Sequence, residues 1–233
     1  MTTRFYKNGG PIDHLASIDL SAVKNGYHFR GSIYVKCNTS SWDDQVAMFE
    51  TAIAKSPTHK IDIVIANAGV YGPDILDGIE NDKPTKPNVG LFDVNLFGVI
   101  YTTNLAAFYF HKQEGAPSEK CLILLSSIMG YIDSEGAALF TPTPGMHPTF
   151  RDAVLAKFEA HRLVFGHIED AATAAMCIAT QPSINGRSIA IVPREISTSG
   201  YLDLNLDDFE DTSVCGKRQK AASSVDYPGV NKY

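Results

Sequence analysis

A short apolar run that ends in small residues is the first feature with chemical meaning. Residues 62–65 read Asp-Ile-Val-Ile and are followed by Ala66, Asn67, Ala68 and Gly69. In an open α/β sheet, ligands bind at the carboxyl ends of the strands, where small residues let a cofactor approach the backbone closely. A strand that only needs a tight turn would look the same, so this motif alone leaves both interpretations open.

Two further motifs follow along the chain. Residues 93–98 read Asp-Val-Asn-Leu-Phe-Gly and include Asn95, and residues 126–130 read Ser-Ser-Ile-Met-Gly and include Ser127. In this order the three motifs resemble the short-chain dehydrogenase/reductase family, and they are similar to the versions common in fungal secondary metabolism. The resemblance covers about residues 6–130 and 165–195.

This resemblance implies an NAD(P)-dependent oxidoreductase that interconverts a hydroxyl and a carbonyl on a small metabolite in a biosynthetic pathway. Ser127 would then hydrogen-bond the substrate oxygen, and Asn95 would hold a water in a proton relay. Asn67, Ala68 and Gly69 would line the cofactor. The substrate itself is not specified by these residues.

Two positions nearer the N-terminus extend the predicted cofactor site. Asp19 ends the first predicted strand, where family members that use NAD place an acid on the adenosine ribose, so it favours NAD over NADP. Asn38 falls where an aspartate usually contacts adenine, and its amide offers both a donor and an acceptor to that edge. Asn38 is equally well interpreted as a turn residue.

The chain departs from the family pattern in two places. It has no T-G-x-x-x-G-x-G loop, and none of its ten tyrosines has a lysine four positions later. In the family that lysine lowers the pKa of the tyrosine that transfers the proton. Tyr131 is the tyrosine nearest to Ser127 and the only local stand-in, although a partly buried loop aromatic is the simpler interpretation.

These departures leave three alternatives for the function. The chain is an active enzyme, an inactive binding or assembly protein on the same scaffold, or an incomplete product of its gene. Two clean losses amid otherwise good matches favour incompleteness.

The elements that must position these residues are short β-branched runs separated by helical patterns. Strands are predicted near residues 14–19, 32–37, 61–66, 120–127 and 187–193. Helices are predicted from Ser40 or Ser41 onward and over about residues 89–112, 148–164 and 168–180. The alternation predicts a Rossmann-like, doubly wound parallel α/β sheet, without the family's first strand and without the tyrosine-bearing helix and the strand after it.

Two packing details follow from the helical spacing. Val46, Phe49, Ala52 and Ile53 are predicted to form the buried stripe of the first helix. Gly98 interrupts the second helix at a cost of about 1 kcal/mol against alanine, which predicts close packing against a neighbour.

Composition limits the class of protein. With 233 residues, 44% hydrophobic and 20% charged, the chain predicts one domain over residues 1–210 and a loosely held polar tail over residues 211–233. The net charge of −6 gives no attraction to nucleic acid or to an anionic membrane, so a small-molecule partner is expected. Four scattered cysteines and seven histidines lack metal-site spacing, which predicts reduced thiols and no metal. Without a bilayer-length apolar run, we expect a soluble cytoplasmic protein, with homo-oligomerisation left open.

Overall fold

The computed structural model describes residues 15–19, 32–70, 82–127, 131, 160, 164–205, 209–210 and 212–223, which divide between two compact units, Met1–His161 and Arg162–Tyr233. The first unit contains β1 (Leu15–Asp19), β2 (Ser32–Lys36), α1 (Trp42–Lys55), β3 (Ile63–Ala66), a π-helical turn (Asp93–Gly98), α2 (Val99–Lys112), a 3-10 turn (Pro117–Glu119) and β4 (Cys121–Leu124). The second contains α3 (Ile168–Thr180), β5 (Ile189–Ile191), β6 (Tyr201–Asp203) and α4 (Val214–Ser223). None of the described helices has the length and apolarity that a bilayer-spanning segment needs. The helix predicted over residues 148–164 lies almost entirely outside the described residues.

The predicted parallel pairing is present between β3 and β4, which run from Ile63 opposite Cys121 to Ala66 opposite Leu124. The long connection between them carries α2, as a parallel crossover requires. The buried core of this unit lies where the two strands meet the helices, and it consists of Phe49, Val64, Leu105 and Ala106, with Val46, Met48, Ile61, Tyr109, Phe110 and Leu122 packed against it.

The other two described strand pairs are antiparallel, where the sequence predicted a parallel sheet throughout. β1 pairs with β2 and β5 pairs with β6, so each forms a separate two-stranded sheet. Only about a dozen residues separate β1 from β2, and fewer separate β5 from β6. Connections this short favour antiparallel neighbours, since a parallel pair needs a crossover of a dozen residues or more. The strand β6 was not predicted.

Helix α1 begins as the sequence predicted. The N–H of Asp44 donates to the Ser41 hydroxyl at 3.3 Å, and two acidic residues in the first turn face the positive end of the helix dipole. Phe49 and Ala52 are buried as expected, whereas Val46 and Ile53 are only half-buried. Gln45, a polar residue, occupies the remaining fully buried position of this face.

The second helix differs from the single α-helix predicted over residues 89–112. Its first part is a π-helical turn, and the α-helix proper begins at Val99. In this π-helical turn Val94 and Gly98 are buried, while Phe97 is 46% exposed. Single π-helical turns inside α-helices recur at functional sites.

The second unit is built around a buried acid. Asp170, on α3, is 4% exposed and accepts two hydrogen bonds from Arg194, from Nε at 3.0 Å and from Nη2 at 2.7 Å. Gly200 has a φ of +74° and lies so close to Asp170 that any side chain there would overlap the carboxylate. The buried carboxylate of Asp170 therefore requires a glycine at position 200, while the Arg194 side chain stays exposed.

The polar segment that was predicted to be loosely held contains a helix. α4 covers Val214–Ser223, and its Gly216 N–H donates to the Ser213 hydroxyl at 2.9 Å at the start of the helix. A hydroxyl in this position satisfies one of the free N–H groups of the first turn, which favours a helix even in a polar segment.

Acid should remove the contribution of Asp170 to stability. The Arg194 hydrogen bond lowers the pKa of Asp170, so the carboxylate stabilises the fold above about pH 4, and this contribution is lost as the pH falls through the lowered pKa. We expect Asp170→Asn to lower the melting temperature at pH 7 and to lower it less at pH 3, measured by circular dichroism. The exposed Glu195→Gln should change little at either pH. An Asp170→Asn deficit that is equally large at both pH values would contradict the assignment.

Candidate functional site

The segment after β3 forms one wall of the candidate site. Asn67 turns back on the strand, since its N–H donates to the carbonyl of Ile65 at 3.0 Å. Asn67 is exposed, and Ala68 and Gly69 are half-buried. Small side chains thus stand at the carboxyl end of a parallel strand, as the sequence predicted.

Asn95 joins this segment to the π-helical turn. Its Oδ1 accepts from the N–H of Val70 and its Nδ2 donates to the carbonyl of Val70, both at 2.8 Å. Such a two-point contact reproduces the pairing that a neighbouring strand would make with this backbone. The structure therefore brings together two of the predicted site motifs, while the proton-relay role of Asn95 stays a prediction.

A small cleft opens between these elements. It is lined by Thr39, Ala66, Ala68, Val94, Gly98, Val99 and Thr102. Gly98 permits the close approach of the helix to the segment after β2, because a Cβ at this position would lie 2.9 Å from the carbonyl oxygen of Thr39. The close packing predicted for Gly98 is confirmed. Thr39 is 7% exposed, and its hydroxyl is buried without a hydrogen-bond partner.

Asn38 acts as a turn residue. Its Oδ1 accepts from the N–H of Ser40 at 3.1 Å and lies 2.8 Å from the Ser40 hydroxyl, while its own N–H donates to Asp44 at 2.9 Å. The turn interpretation is confirmed, and the adenine contact stays a prediction. This turn delivers Thr39 to the cleft.

Asp19 does not share an edge with Asn38. In the antiparallel register Asp19 is opposite Ser32, at one end of the β1–β2 sheet, whereas Asn38 follows the other end of β2. The prediction placed both residues in one cofactor site because it followed the family resemblance and a parallel sheet. The structure separates them, and the ribose contact of Asp19 stays a prediction.

Ser127 lies at the same sheet edge as the segment after β3. Two residues separate it from the end of β4, and between the two strand ends Leu125 donates its N–H to the carbonyl of Ala66 at 3.1 Å. Ser127 is half-buried and Tyr131 is 50% exposed. The catalytic roles of Ser127 and Tyr131 stay predictions.

Two glutamines that hold neighbouring segments together, one at the cleft and one at the opposite end of β3, escaped the sequence analysis. Gln45 is fully buried between Thr39 and Gly98, and Gln113 makes hydrogen bonds to both backbone groups of Ile61, just before β3. Gln45 shares one helical face with Phe49 and Ala52, at spacings of four and seven residues. A polar residue in a buried stripe is the signal that could have revealed it.

The thiols offer no nucleophile for this site. Burial, with a smaller effect from Asp44, raises the pKa of Cys37 to about 11, which keeps it protonated at neutral pH. Burial also raises the pKa of Cys121. The described residues contain no group of three His, Cys, Asp or Glu side chains that could hold a metal ion.

Comparisons with known proteins agree on one family. The model of the family described as short chain dehydrogenase matches residues 20–141. The chain is 29% identical over 247 residues to 5'-hydroxyaverantin dehydrogenase of Dothistroma septosporum, a match that covers 86% of this chain and 78% of that protein. It is 30% identical over 227 residues to the 5'-hydroxyaverantin dehydrogenase of Emericella nidulans, covering 76% and 72%. An NADP-dependent dehydrogenase of Cochliobolus lunatus is 34% identical over 111 residues, covering 42% and 38%.

Replacing Gly98 by alanine tests the packing at the cleft. Alanine normally stabilises a helix by up to about 1 kcal/mol relative to glycine. At Gly98 we expect the opposite, a loss of about 1–3 kcal/mol in the free energy of unfolding, because the new methyl group would press on the Thr39 carbonyl. Urea unfolding measures this change in the free energy of unfolding. Gly90→Ala is the control, since the nearest group there is the flexible side chain of Asn88; a Gly98→Ala protein as stable as wild type would contradict the packing.

Proposed function

We propose that this chain, which belongs to the short-chain dehydrogenase/reductase family, binds NAD or NADP at the cleft beside Ala68 and acts on a small metabolite. The observation that supports this site most directly is the contact of Asn95 with Val70. It fixes the backbone after β3 against the π-helical turn and leaves a cleft between them that is lined by small side chains.

Membership of the family rests on the family match over more than half of the chain and on the 30% identical relative. It confirms the predicted resemblance and the Rossmann-like α/β class, to which the parallel β3–β4 pair belongs. It also confirms the predicted type of activity, a short-chain dehydrogenase/reductase oxidoreductase that interconverts a hydroxyl and a carbonyl.

The residues at the cleft fit part of a dinucleotide. Ala66, Ala68 and Gly98 have little or no side chain, so a ligand can approach their backbone closely. The buried and unpaired Thr39 hydroxyl stands beside the same space and is a hydrogen-bonding group still to be satisfied. Asn38 and Asn67 are exposed at its rim and supply amides to polar groups of the ligand.

Each remaining residue of the predicted site has one proposed role in the reaction. When bound, the nicotinamide supplies or accepts the hydride. Ser127 hydrogen-bonds the reacting oxygen at the edge where β3 and β4 end. Asn95 holds a water for proton transfer, through the hydrogen-bonding capacity of its amide that the contact with Val70 does not use. Tyr131 is the local phenol available to exchange the proton with the substrate oxygen.

The substrate proposed is a hydroxyl-bearing small metabolite of a biosynthetic pathway. Two relatives are named as dehydrogenases of 5'-hydroxyaverantin. We place the reaction in the cytoplasm.

Self-association is the partner interaction that the surface favours. The π-helical turn and α2 expose Leu96, Phe97, Ile100 and Phe108, each by close to half of its area. Apolar side chains grouped along one helix are typical of protein interfaces, so we include a homo-oligomer in the proposal.

A second candidate function is cofactor or metabolite binding without catalysis. It is favoured by one observation, that no tyrosine of the chain has a lysine four residues later. In the family that lysine assists the tyrosine that transfers the proton, so its absence favours binding without turnover. Binding with no turnover of any hydroxyl or carbonyl substrate would favour this candidate.

Filling the cleft should weaken dinucleotide binding. We expect fluorescence titration to give saturable binding of NADH or NADPH to the wild type, and Ala68→Leu to weaken it by about tenfold or more because the larger side chain occupies the cleft. Ala107→Leu, at an exposed position of α2, is the matched control and should bind as the wild type does. Equal affinity in both variants would contradict the site, and a folded wild type indifferent to both dinucleotides would contradict the function.

Cofactor preference tests the role of Asp19. An acid at the ribose repels the 2′-phosphate of NADP, so the wild type should prefer NADH to NADPH and Asp19→Ala should reduce that preference. Affinities for the two cofactors, measured in parallel on both proteins, give the ratio. Asp19 and Asn38 lie at opposite ends of the β1–β2 sheet. An unchanged ratio would show that Asp19 is not part of the cofactor site.

A further inference from the structure

Gln45 is the largest side chain that the described residues bury completely. It lies on α1, one turn before Phe49, in a position where an apolar side chain would normally complete the core. Burying an amide is unfavourable unless its polar atoms are hydrogen-bonded, since an unpaired amide costs about 1–3 kcal/mol. Its presence there therefore requires partners of well-defined geometry.

The amide of Gln45 has such partners on two elements. Its Nε2 donates to the carbonyl of Thr39 at 2.6 Å and to the carbonyl of Gly98 at 2.9 Å, and its Oε1 lies 2.8 Å from the Thr102 hydroxyl, which can donate to it. Both N–H groups of the amide are used, and so is its oxygen. An ionised glutamate would lack the two donors and would face two carbonyl oxygens instead.

These partners are the residues that form the cleft. Thr39, Gly98 and Thr102 all line it, and Thr39 and Gly98 approach so closely that no Cβ fits between them. Gln45 lies behind this junction and ties both sides to α1. Its hydrogen bonds thus determine how far the turn after β2 stands from the start of α2.

We propose that Gln45 is a positioning residue that fixes the width of the cleft and thereby sets the affinity for the dinucleotide, an inference that rests on the proposed function. It does not touch the ligand. It acts through Thr39 on one wall and through Gly98 and Thr102 on the other.

Gln113 provides a matched comparison. It is also a glutamine that joins the second helix to a neighbouring segment, through both backbone groups of Ile61. Ile61 precedes β3, however, at the end of the strand away from the cleft. Methionine has nearly the same shape as glutamine without its polar atoms, so Gln45→Met and Gln113→Met each remove one such contact.

The experiment compares stability with affinity in the full-length chain. Both variants should have lower melting temperatures than the wild type, because each loses buried hydrogen bonds. Only Gln45→Met should also weaken NADH or NADPH binding, by about tenfold, while Gln113→Met keeps the wild-type dissociation constant. If Gln45→Met does not fold, Gln45→Asn carries the same comparison, with a smaller loss of affinity expected because the shorter amide reaches fewer of its partners.

Two results would overturn the inference, and they are distinguishable. Wild-type binding with the same dissociation constant in Gln45 and Gln113 variants would show that Gln45 only stabilises the fold, and it would leave the proposed function intact. A wild type that binds neither dinucleotide would overturn the proposed function and this inference with it.

Discussion

Strand β3 is held at both ends by side-chain amides of the segment that forms the second helix. Asn95 pairs with the N–H and carbonyl of Val70 beyond the carboxyl end of the strand, and Gln113 pairs with both backbone groups of Ile61 before its beginning. Backbone groups that leave a sheet must find partners or remain in water. Because the helix supplies those partners, it holds the strand and the candidate site in place. Ala68 and Gly69 lie between β3 and the Asn95 contact.

A second constraint acts at the other side of the cleft, where a helix and a turn meet without a side chain between them. Gly98 allows this contact with Thr39, and the buried amide of Gln45 then binds the carbonyls of both residues. Close packing is favourable only when the polar atoms it buries are paired. The glycine and the glutamine therefore stabilise the same junction between the turn after β2 and the second helix.

Sequence patterns predicted the parts of this arrangement that depend on local spacing. The β-branched runs that became β3 and β4, the Ser41 cap of α1 and the close contact at Gly98 could all be predicted, because each follows from residues near one another in the chain. The antiparallel direction of β1 was missed because the prediction followed the β-branched runs and not the short connection to β2, which favours antiparallel neighbours. The π-helical turn, in which Phe97 is exposed, was not predicted either. The hydrogen bond from Gln45 to Gly98 joins residues more than fifty positions apart, and no local sequence pattern contains such a contact.

The polar contacts of the two units differ in charge, so the two units should respond differently to pH. At the junction of Gln45 with Thr39, Gly98 and Thr102 the described contacts are between neutral amides, hydroxyls and carbonyls, whereas the carboxylate of Asp44 accepts from the N–H of Asn38 in the turn before it. The second unit instead uses Asp170 with Arg194 and Asp203 with Arg187, and in both pairs the arginine hydrogen bond lowers the pKa of the carboxyl. Protonation weakens an ion pair but leaves an amide pair unchanged. The neutral contacts of Gln45 are thus independent of carboxylate protonation, whereas the two ion pairs of the second unit are not.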